Sequence, residues 1–150
     1  MMKEHEEFIR ATYQLAISAK EKGNHPFGAL IVIDDKIVFT AENSVITEND
    51  ITRHAELNLV SKAAQKIASE SLSQSILYTS TEPCAMCTGA IFWSGIPKIV
   101  YGCSAAKLGE IAGGAFVVPC RELLNFGKRQ IVVVGPILED QGAAIHRDFW

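Results

Sequence analysis

The sequence predicts an α/β protein in which a mixed five-stranded sheet lies between two layers of helices, a three-layer α/β/α sandwich. Two apolar runs joined by the turn Asp34-Asp35-Lys36 predict an antiparallel hairpin early in the chain. The later apolar runs alternate with helical patterns, which is typical of parallel strands joined by crossover helices. A length of 150 residues suits one domain, residues 1–150, with a core of its own.

Each predicted strand is an apolar, mostly β-branched run bounded by turn-forming residues. The strands are predicted at residues 29–33, 37–41, 76–80, 98–102 and 131–134. The first run is continuously apolar, which indicates a central strand that is buried on both faces. The segment between the fourth and fifth strands is long enough to hold a crossover helix, so these two strands are expected to be parallel.

Helices are predicted where apolar residues recur with helical spacing. The first helix ends at Gly23, and the second begins at His54 with Thr52 as a suitable N-cap. The third helix is apolar on nearly all sides. We therefore expect the sheet to cover one of its sides and another element to cover the opposite side. The predicted helices span residues 3–22, 54–67, 84–94, 119–126 and 139–150. Residues 42–52 and 69–75 are predicted to be polar loops, and 104–118 has no clear pattern.

The composition, with 48% apolar and 21% charged residues, is that of an ordinary soluble globular protein. A net charge of −3 gives no indication of a polyanion-binding surface, although it does not report on a local groove. The apolar runs are shorter than the ~20 residues of a membrane helix, and the polar start lacks a signal-peptide core. A cytoplasmic location without membrane association is expected. In that reducing environment a Cys-x-x-Cys pair indicates a metal or redox site.

Two predicted helix starts carry the residues of a candidate metal site. Cys84 and Cys87 are three residues apart, which places both sulfur atoms on one face of the first helical turn. The positive potential at a helix N-terminus stabilises thiolates, so the pair forms one half of a zinc site. His54, at another helix start, is the third candidate ligand. Three protein ligands leave the fourth tetrahedral position for water, which is the arrangement of catalytic zinc.

Glu56 lies two residues after His54 and is the candidate proton shuttle. Zinc lowers the pKa of its bound water from ~15.7 toward ~7. At this spacing the Glu56 carboxylate can lie beside that water without ligating the metal, and can carry its proton to a leaving nitrogen. His-x-Glu followed by Pro-Cys-x-x-Cys, here residues 54–56 and 83–87, is the signature of zinc-dependent nucleobase deaminases.

A Cys-x-x-Cys pair alone would also fit a redox dithiol, or a structural zinc site that Cys103 closes as the fourth ligand. Neither alternative has a use for Glu56, and an intact Glu56 also argues against a non-catalytic, zinc-stabilised interaction module. Cys103 and Cys120 are otherwise predicted to be buried, reduced thiols. His25 and His146 are predicted to be a loop residue and a helix-surface residue rather than ligands.

With these motifs the chain resembles the cytidine deaminase-like superfamily. It is most similar to the branch that holds the bacterial guanine deaminases and the tRNA adenosine deaminases. Beyond the two zinc motifs, the resemblance includes Pro26-Phe27-Gly28-Ala29, Asn43, Leu77-Tyr78-Thr79-Ser80, Glu82-Pro83-Cys84 and Gly89-Ala90-Ile91-Phe92-Trp93. The resemblance implies a five-stranded sheet between helices and commonly a homodimer.

The resemblance also implies roles for individual residues. It implies zinc as the cofactor, with His54, Cys84 and Cys87 as its ligands and Glu56 as the catalytic proton shuttle. Phe27 and Asn43 match positions that line the substrate pocket in guanine deaminase-like members, and Ala55 is a further expected substrate contact. The apolar residues Met86, Phe92 and Trp93 are expected in the core or in a dimer interface.

The expected activity is hydrolytic deamination of a small nucleobase, nucleoside or related heterocycle, with a guanine-like aminopurine preferred and ammonia released. The alternative is deamination of adenosine in tRNA. Residues 121–150 contain four basic residues, Arg121, Lys128, Arg129 and Arg147, and four acidic ones, Glu122, Glu139, Asp140 and Asp148. This balance argues against a basic RNA-binding tail, so nucleic acid is not the expected partner. Phe149 and Trp150 are predicted either to pack locally or to close a pocket.

Overall fold

The computed structural model, which describes residues 2–150, contains one mixed five-stranded sheet. Its strands are β1 (Gly28–Ile33), β2 (Lys36–Glu42), β3 (Ile76–Thr81), β4 (Lys98–Cys103) and β5 (Val132–Val134). The strand order is β2-β1-β3-β4-β5. β1 is antiparallel to both of its neighbours, whereas β3, β4 and β5 are parallel. The predicted mixed sheet is confirmed, including the parallel pairing of strands four and five.

Helices cover both faces of this sheet. They are α1 (Met2–Glu21), α2 (Val45–Glu48), α3 (Ala55–Lys66), α4 (Ser69–Leu72), α5 (Ala85–Ser94), α6 (Ala105–Ala112), α7 (Cys120–Leu124) and α8 (Glu139–Phe149). One core cluster joins α1 to the sheet, and the other joins α3 and α5 to its opposite face. The predicted α/β/α sandwich is therefore confirmed. Within residues 2–150, no helix combines the length and the apolar character needed to cross a membrane.

The two cores meet at β1. Its neighbouring residues Leu30 and Ile31 point to opposite faces of the sheet, as successive strand residues do. Leu30 packs in the core that includes Ile9 of α1, and Ile31 packs in the core that includes Leu59 of α3. Both faces of β1 are thus covered, which explains why its sequence is continuously apolar rather than alternating.

Along one edge of the sheet lie the start of β1 and the ends of β2, β3 and β4. Gly28 at the start of β1 pairs with Glu42 at the end of β2, and Thr81 at the end of β3 pairs with Cys103 at the end of β4. Because β1 runs opposite to β3, the first residues of β1 lie beside the last residues of β3. The connections that leave this edge carry the candidate site residues.

Several segments differ from the sequence prediction. His54, not Thr52, is the N-cap of α3, because the backbone N–H of His54 already bonds to the Thr52 carbonyl in a tight turn. The segments predicted as polar loops contain the one-turn helices α2 and α4, which are too short to show a periodic pattern. The unpatterned stretch 104–118 contains α6, whose N-cap Ser104 accepts a hydrogen bond from Lys107.

Within residues 2–150, the third predicted helix is only partly covered, by α3 and by α7. α5 packs against α3 through Ile91, but Trp93 near its end is 84% exposed. Met86 is also exposed, and the rings of Phe92 and Trp93 meet edge to face at 5.3 Å. The all-round apolar character of α5 therefore does not reflect burial within this chain, and an apolar face is left open.

Candidate metal centre

Two helices each present a candidate ligand at their first position. His54 is the N-cap of α3 and Cys84 is the N-cap of α5. Cys84 Sγ lies 3.5 Å from His54 Nδ1. Cys87, in the first turn of α5, completes the group, and the ligand atoms of the three residues lie within 4.8 Å of one another. The structure thus brings the three sequence-predicted ligands together.

The geometry of this group fits zinc. Zn–N and Zn–S bonds of about 2.0 and 2.3 Å at a tetrahedral angle place a nitrogen and a sulfur about 3.5 Å apart. The separation of Cys84 Sγ and His54 Nδ1 has this value. Cys103 does not join the group: its thiol contacts the Ser104 carbonyl, and burial raises its pKa to about 12. The described residues therefore give no support to a structural site closed by Cys103.

In the metal-free site, Cys84 is ionised and Cys87 keeps its proton. Hydrogen bonds from Cys87 and His54 together lower the pKa of Cys84 to about 4, although burial acts in the opposite direction. The pKa of Cys87 is raised, because Cys87 is the donor in that bond and is buried. The hydrogen bond to Cys84 raises the pKa of His54. Since both thiols must be ionised to bind a metal, zinc binding will release the proton of Cys87.

Glu56 is buried beside this group. Its side chain is 5% exposed, and burial together with the negative charge of Cys84 raises its pKa to about 7. A carboxyl group that titrates near neutral pH can both accept and donate a proton during turnover. The site therefore contains a carboxyl group with the proton affinity that a shuttle needs.

A cavity of about 340 Å³ reaches the metal-binding group. Its wall includes two of the candidate ligands, His54 and Cys84, as well as Phe27 and Asn43. His25 and Glu82 also line it. The other side chains are largely apolar and come from α6, from the segment after it and from the end of the chain: Leu108, Ala112, Phe116, Val117, Val118 and Trp150. Within residues 2–150, neither lysine nor arginine lines this cavity. Its volume is typical of small-molecule sites.

Asn43 is held rigidly at the cavity wall. Its Oδ1 accepts a hydrogen bond from the backbone N–H of Val45 at 3.0 Å, and its own backbone N–H donates to the Phe27 carbonyl at 3.1 Å. Among residues 2–150, none accepts a hydrogen bond from its Nδ2. Asn43 therefore retains an unused amide donor at a wall that Phe27 also lines.

Ala55 is placed differently from the other predicted substrate contacts. Its side chain is buried in the core with Leu59 and does not line the cavity. Glu56 and Cys87 also lie behind the cavity wall rather than on it. A contact between Ala55 and the substrate stays a prediction, and only the Ala55 backbone could make it.

Sequence reasoning assigned no role to Glu82, which proves to organise the cavity. The buried Glu82 carboxylate accepts hydrogen bonds from the backbone N–H groups of Ala105 and Cys120, at 2.9 and 2.7 Å. These are the first residues of α6 and α7. The only signal in the sequence is that Glu82 directly precedes the Pro-Cys-x-x-Cys motif.

The prediction for His146 is wrong. It was expected on a helix surface, yet it is 1% exposed and hydrogen-bonds to Thr81 and Trp150. The buried residues of α8 are Gly142, Ala143 and His146, which fall on one face of the helix at helical spacing. His25 is a loop residue as predicted, and it lines the cavity with Trp150. Of the two predictions for the C-terminal aromatics, the structure places Trp150 on the cavity of its own chain.

The sequence comparisons agree with this site. Residues 2–103 match the family model described as the cytidine and deoxycytidylate deaminase zinc-binding region. A probable cytosine deaminase of Schizosaccharomyces pombe is 35% identical over 148 residues, which cover 95% of this chain and 90% of the relative. A guanine deaminase of Bacillus subtilis is 44% identical over 98 residues, 65% of this chain and 62% of the relative. A tRNA-specific adenosine deaminase of Buchnera aphidicola is 32% identical over 143 residues, 95% and 91% of the two chains.

Solved structures show the same fold. A guanine deaminase from Nitrosomonas europaea superimposes with a TM-score of 0.82 at 25% identity, covering 95% of this chain and 82% of the other. A mutant protein whose structure was solved in complex with 8-azaguanine has a TM-score of 0.83 at 25% identity over 96% and 82% of the two chains. A tRNA:A34 deaminase has a TM-score of 0.76 at 27% identity over 93% and 98%.

Proposed function

We infer the activity of this chain from one premise: it belongs to the cytidine and deoxycytidylate deaminase family and is a zinc-dependent hydrolytic deaminase. We propose that its substrate is a free nucleobase or related heterocycle, with guanine as the first choice. The reaction replaces the exocyclic amine with oxygen from water and releases ammonia. One observation carries the proposal: His54, Cys84 and Cys87 converge beside Glu56, next to a cavity whose wall has neither lysine nor arginine among the described residues.

The protein residues have distinct tasks in the proposed mechanism. His54, Cys84 and Cys87 would hold zinc, which would lower the pKa of a bound water molecule toward neutrality. Glu56 accepts a proton from the attacking water and delivers it to the ring nitrogen beside the amine-bearing carbon. A second transfer through Glu56 carries the remaining water proton to the exocyclic nitrogen, which leaves as ammonia. Glu56 lies outside the group of candidate ligands, so its carboxylate is free to accept the proton and to return it.

Two wall residues are proposed to orient the base. The free amide donor of Asn43 can bond to an acceptor on the edge of a heterocycle, and the adjacent Phe27 ring can pack against its flat face. The largely apolar wall favours a planar, uncharged ring. Purine recognition is supported by the similarity to the guanine deaminase of B. subtilis and to the complex with 8-azaguanine.

RNA is the less favoured substrate. An enzyme that binds RNA neutralises phosphates with lysine and arginine side chains. Within residues 2–150 the cavity wall contains neither of them. The observation that keeps this alternative open is the similarity to tRNA-specific adenosine deaminases over nearly the whole chain.

An ammonia-release screen of the zinc-loaded protein tests the proposal. It compares guanine, adenine, cytosine, their nucleosides and a tRNA anticodon stem, with Glu56→Gln as the matched inactive control. We expect guanine to be turned over with the highest kcat/KM and the control to release ammonia at least about 100 times more slowly. Preferential turnover of cytosine would replace the proposed substrate, and turnover of the RNA alone would favour the tRNA alternative.

We also propose that residues 1–150 act as one deaminase domain in a cytoplasmic homodimer. The open apolar face of α5 continues to α7, where Phe126, just beyond the helix, is 90% exposed. A groove of about 180 Å³ lies between the two helices and is lined by Phe92, Trp93 and Leu124. An apolar face of this kind is typical of an interface between subunits. The four free cysteines suit a reducing compartment.

Light scattering coupled to size-exclusion chromatography tests the homodimer. We expect Trp93→Glu to convert the dimer to a monomer, because it places a charge at the centre of the apolar face. The matched control is Ile37→Glu, an exposed apolar residue on the edge strand β2. A wild-type protein that elutes as a monomer would contradict the proposal.

A further inference from the structure

We propose that His146 is a positioning residue that fixes the shape of the substrate cavity by holding two of its aromatic walls, Phe27 and Trp150. The inference rests on the proposed function, in that it assumes the cavity to be the substrate site. His146 does not itself line the cavity, so it acts through the two aromatic side chains that do.

The hydrogen bond between Trp150 and His146 fixes the tautomer of the imidazole. The indole Nε1–H of Trp150 lies 3.1 Å from His146 Nδ1. Because an indole nitrogen is only a donor, Nδ1 must be the acceptor. In a neutral imidazole the proton is then on Nε2, which lies 2.8 Å from the Thr81 hydroxyl oxygen and donates to it. Two hydrogen bonds therefore connect the end of β3 to the indole of Trp150.

The same imidazole supports the second wall. The rings of Phe27 and His146 are tilted by 51° and their centroids are 5.2 Å apart. Phe27 directly precedes β1, and the antiparallel register brings the start of β1 beside the end of β3. Phe27 and Thr81 thus approach His146 from neighbouring strands, while Trp150 reaches it from the end of α8.

The surroundings of His146 keep it in the state that this arrangement needs. Its side chain is almost fully buried, and burial lowers its pKa to about 4. The imidazole is therefore neutral at neutral pH and its Nδ1 remains an acceptor. Trp150, by contrast, is 48% exposed, and its indole packs against His25 with ring centroids 5.4 Å apart. Without the bond to His146, the side chain of Trp150 would be held only by ring contacts with His25 and Phe149, and its place on the cavity wall would be less fixed.

Changes at His146 should therefore weaken substrate binding more than they slow the chemical step. Glu56 and the zinc-binding group do not contact His146, so kcat should stay within about twofold, whereas loss of a fixed wall should raise KM about tenfold. His146→Phe keeps a ring of similar size but removes both hydrogen bonds. His146→Asn keeps an acceptor near the position of Nδ1, so its KM should lie between those of the wild type and His146→Phe.

A second readout needs no turnover. The chain contains two tryptophans, so a Trp93→Phe background leaves Trp150 as the only emitting indole. In this background we expect His146→Phe to shift Trp150 emission to longer wavelength and to increase its quenching by acrylamide, and His146→Asn to do so less. Unchanged emission and quenching in His146→Phe would overturn the inference.

Trp150→Phe keeps the test decisive if His146→Phe does not fold. It removes the same hydrogen bond from a half-exposed position and should raise KM for guanine about as much. If Trp150→Phe leaves KM unchanged, the inference is overturned. If guanine is not deaminated by the wild type while His146→Phe still releases the Trp150 indole, the proposed substrate fails and the positioning role of His146 holds.

Discussion

At the scale of single residues, the surroundings of two buried glutamates give them different tasks. Glu56 is enclosed beside the negative charge of Cys84, and its pKa is raised to about 7. Glu82 instead accepts two backbone hydrogen bonds, from Ala105 and Cys120, that fix its position. The first carboxyl group is suited to moving a proton, and the second is suited to holding the starts of two helices.

Replacing Glu56 should abolish turnover without affecting metal binding. Glu56→Gln keeps the size of the side chain but cannot shuttle a proton, so we expect kcat to fall by about 10²–10⁴-fold. Zinc content, measured by atomic emission, should remain that of the wild type. Glu70→Gln, an exposed change on α4, is the matched control. Near-normal ammonia release by Glu56→Gln would contradict the assignment of Glu56 as the shuttle.

His146 should make the folded protein sensitive to mild acid. Its pKa is about 4 in the folded chain against the ordinary 6.5, so between these values the unfolded chain binds a proton that the folded chain does not. Stability is therefore lost as pH falls from 6.5 toward 4, by about 3 kcal/mol in total at 1.36 kcal/mol per pKa unit.

Urea unfolding of the metal-free protein between pH 7 and 4.5 measures this loss. We expect the free energy of unfolding of His146→Asn to fall less steeply with decreasing pH than that of the wild type. Burial also lowers the pKa of His5 and His25, but both proteins share these residues, so the difference between the curves isolates His146. Parallel curves would show that His146 is not buried in its neutral form.

At the scale of elements, Glu82 connects the zinc-binding turn to the cavity wall. Glu82→Ala leaves the backbone N–H groups of Ala105 and Cys120 without an acceptor. At about 1–3 kcal/mol for each buried donor, we expect the free energy of unfolding to fall by roughly 2–6 kcal/mol. KM should also rise, because α6 forms part of the cavity wall.

Glu122→Ala, an exposed change on α7, is the control for thermal and urea unfolding. Equal stability of Glu82→Ala and Glu122→Ala would refute the role of Glu82.

The elements differ in how far the sequence predicts them. β1 and the helices that carry His54 and Cys84 are evident from long apolar patterns, and their starts agree closely with the structure. α2 and α4 each have four residues, which is too few for a periodic pattern to appear. α6 lies in a stretch rich in glycine and alanine, where the hydrogen bonds to Ser104 and Glu82 decide the conformation more than periodicity does.

At the scale of the whole molecule, zinc should stabilise the fold as well as support catalysis. A ligand that binds only the folded chain adds about 4 kcal/mol when its concentration is 1,000 times its dissociation constant. We expect chelation to abolish ammonia release and to lower the Tm, and added zinc to restore both. Cys87→Ser should remove most of the zinc-dependent shift in Tm, whereas Cys120→Ser, a buried thiol outside the metal-binding group, should retain it. A Tm that does not respond to zinc would contradict this expectation.

The long-range contacts explain which parts of the site the sequence does not reveal. His54, Glu56, Cys84 and Cys87 stand out because each pair lies within one short motif. His146 and its partner Thr81 are 65 residues apart, and Glu82 and Cys120 are 38 apart. No local pattern connects such residues. Sequence reasoning therefore identifies the metal-binding group but not the contacts that shape the cavity around it.

The separate segments that leave the sheet edge at the end of β4 have a consequence for how the family evolves. The candidate zinc ligands occupy the first turns of two packed helices, whereas much of the cavity wall comes from separate segments near that edge, around Asn43 and at residues 112–118. A lineage can therefore acquire a new specificity by replacing one of these segments while its reaction stays the same. We expect a chimera that carries residues 112–118 of a cytosine-specific relative to retain zinc and ammonia release while its preference moves toward cytosine. Loss of zinc from the chimera would show that residues 112–118 and the metal-binding group cannot change independently.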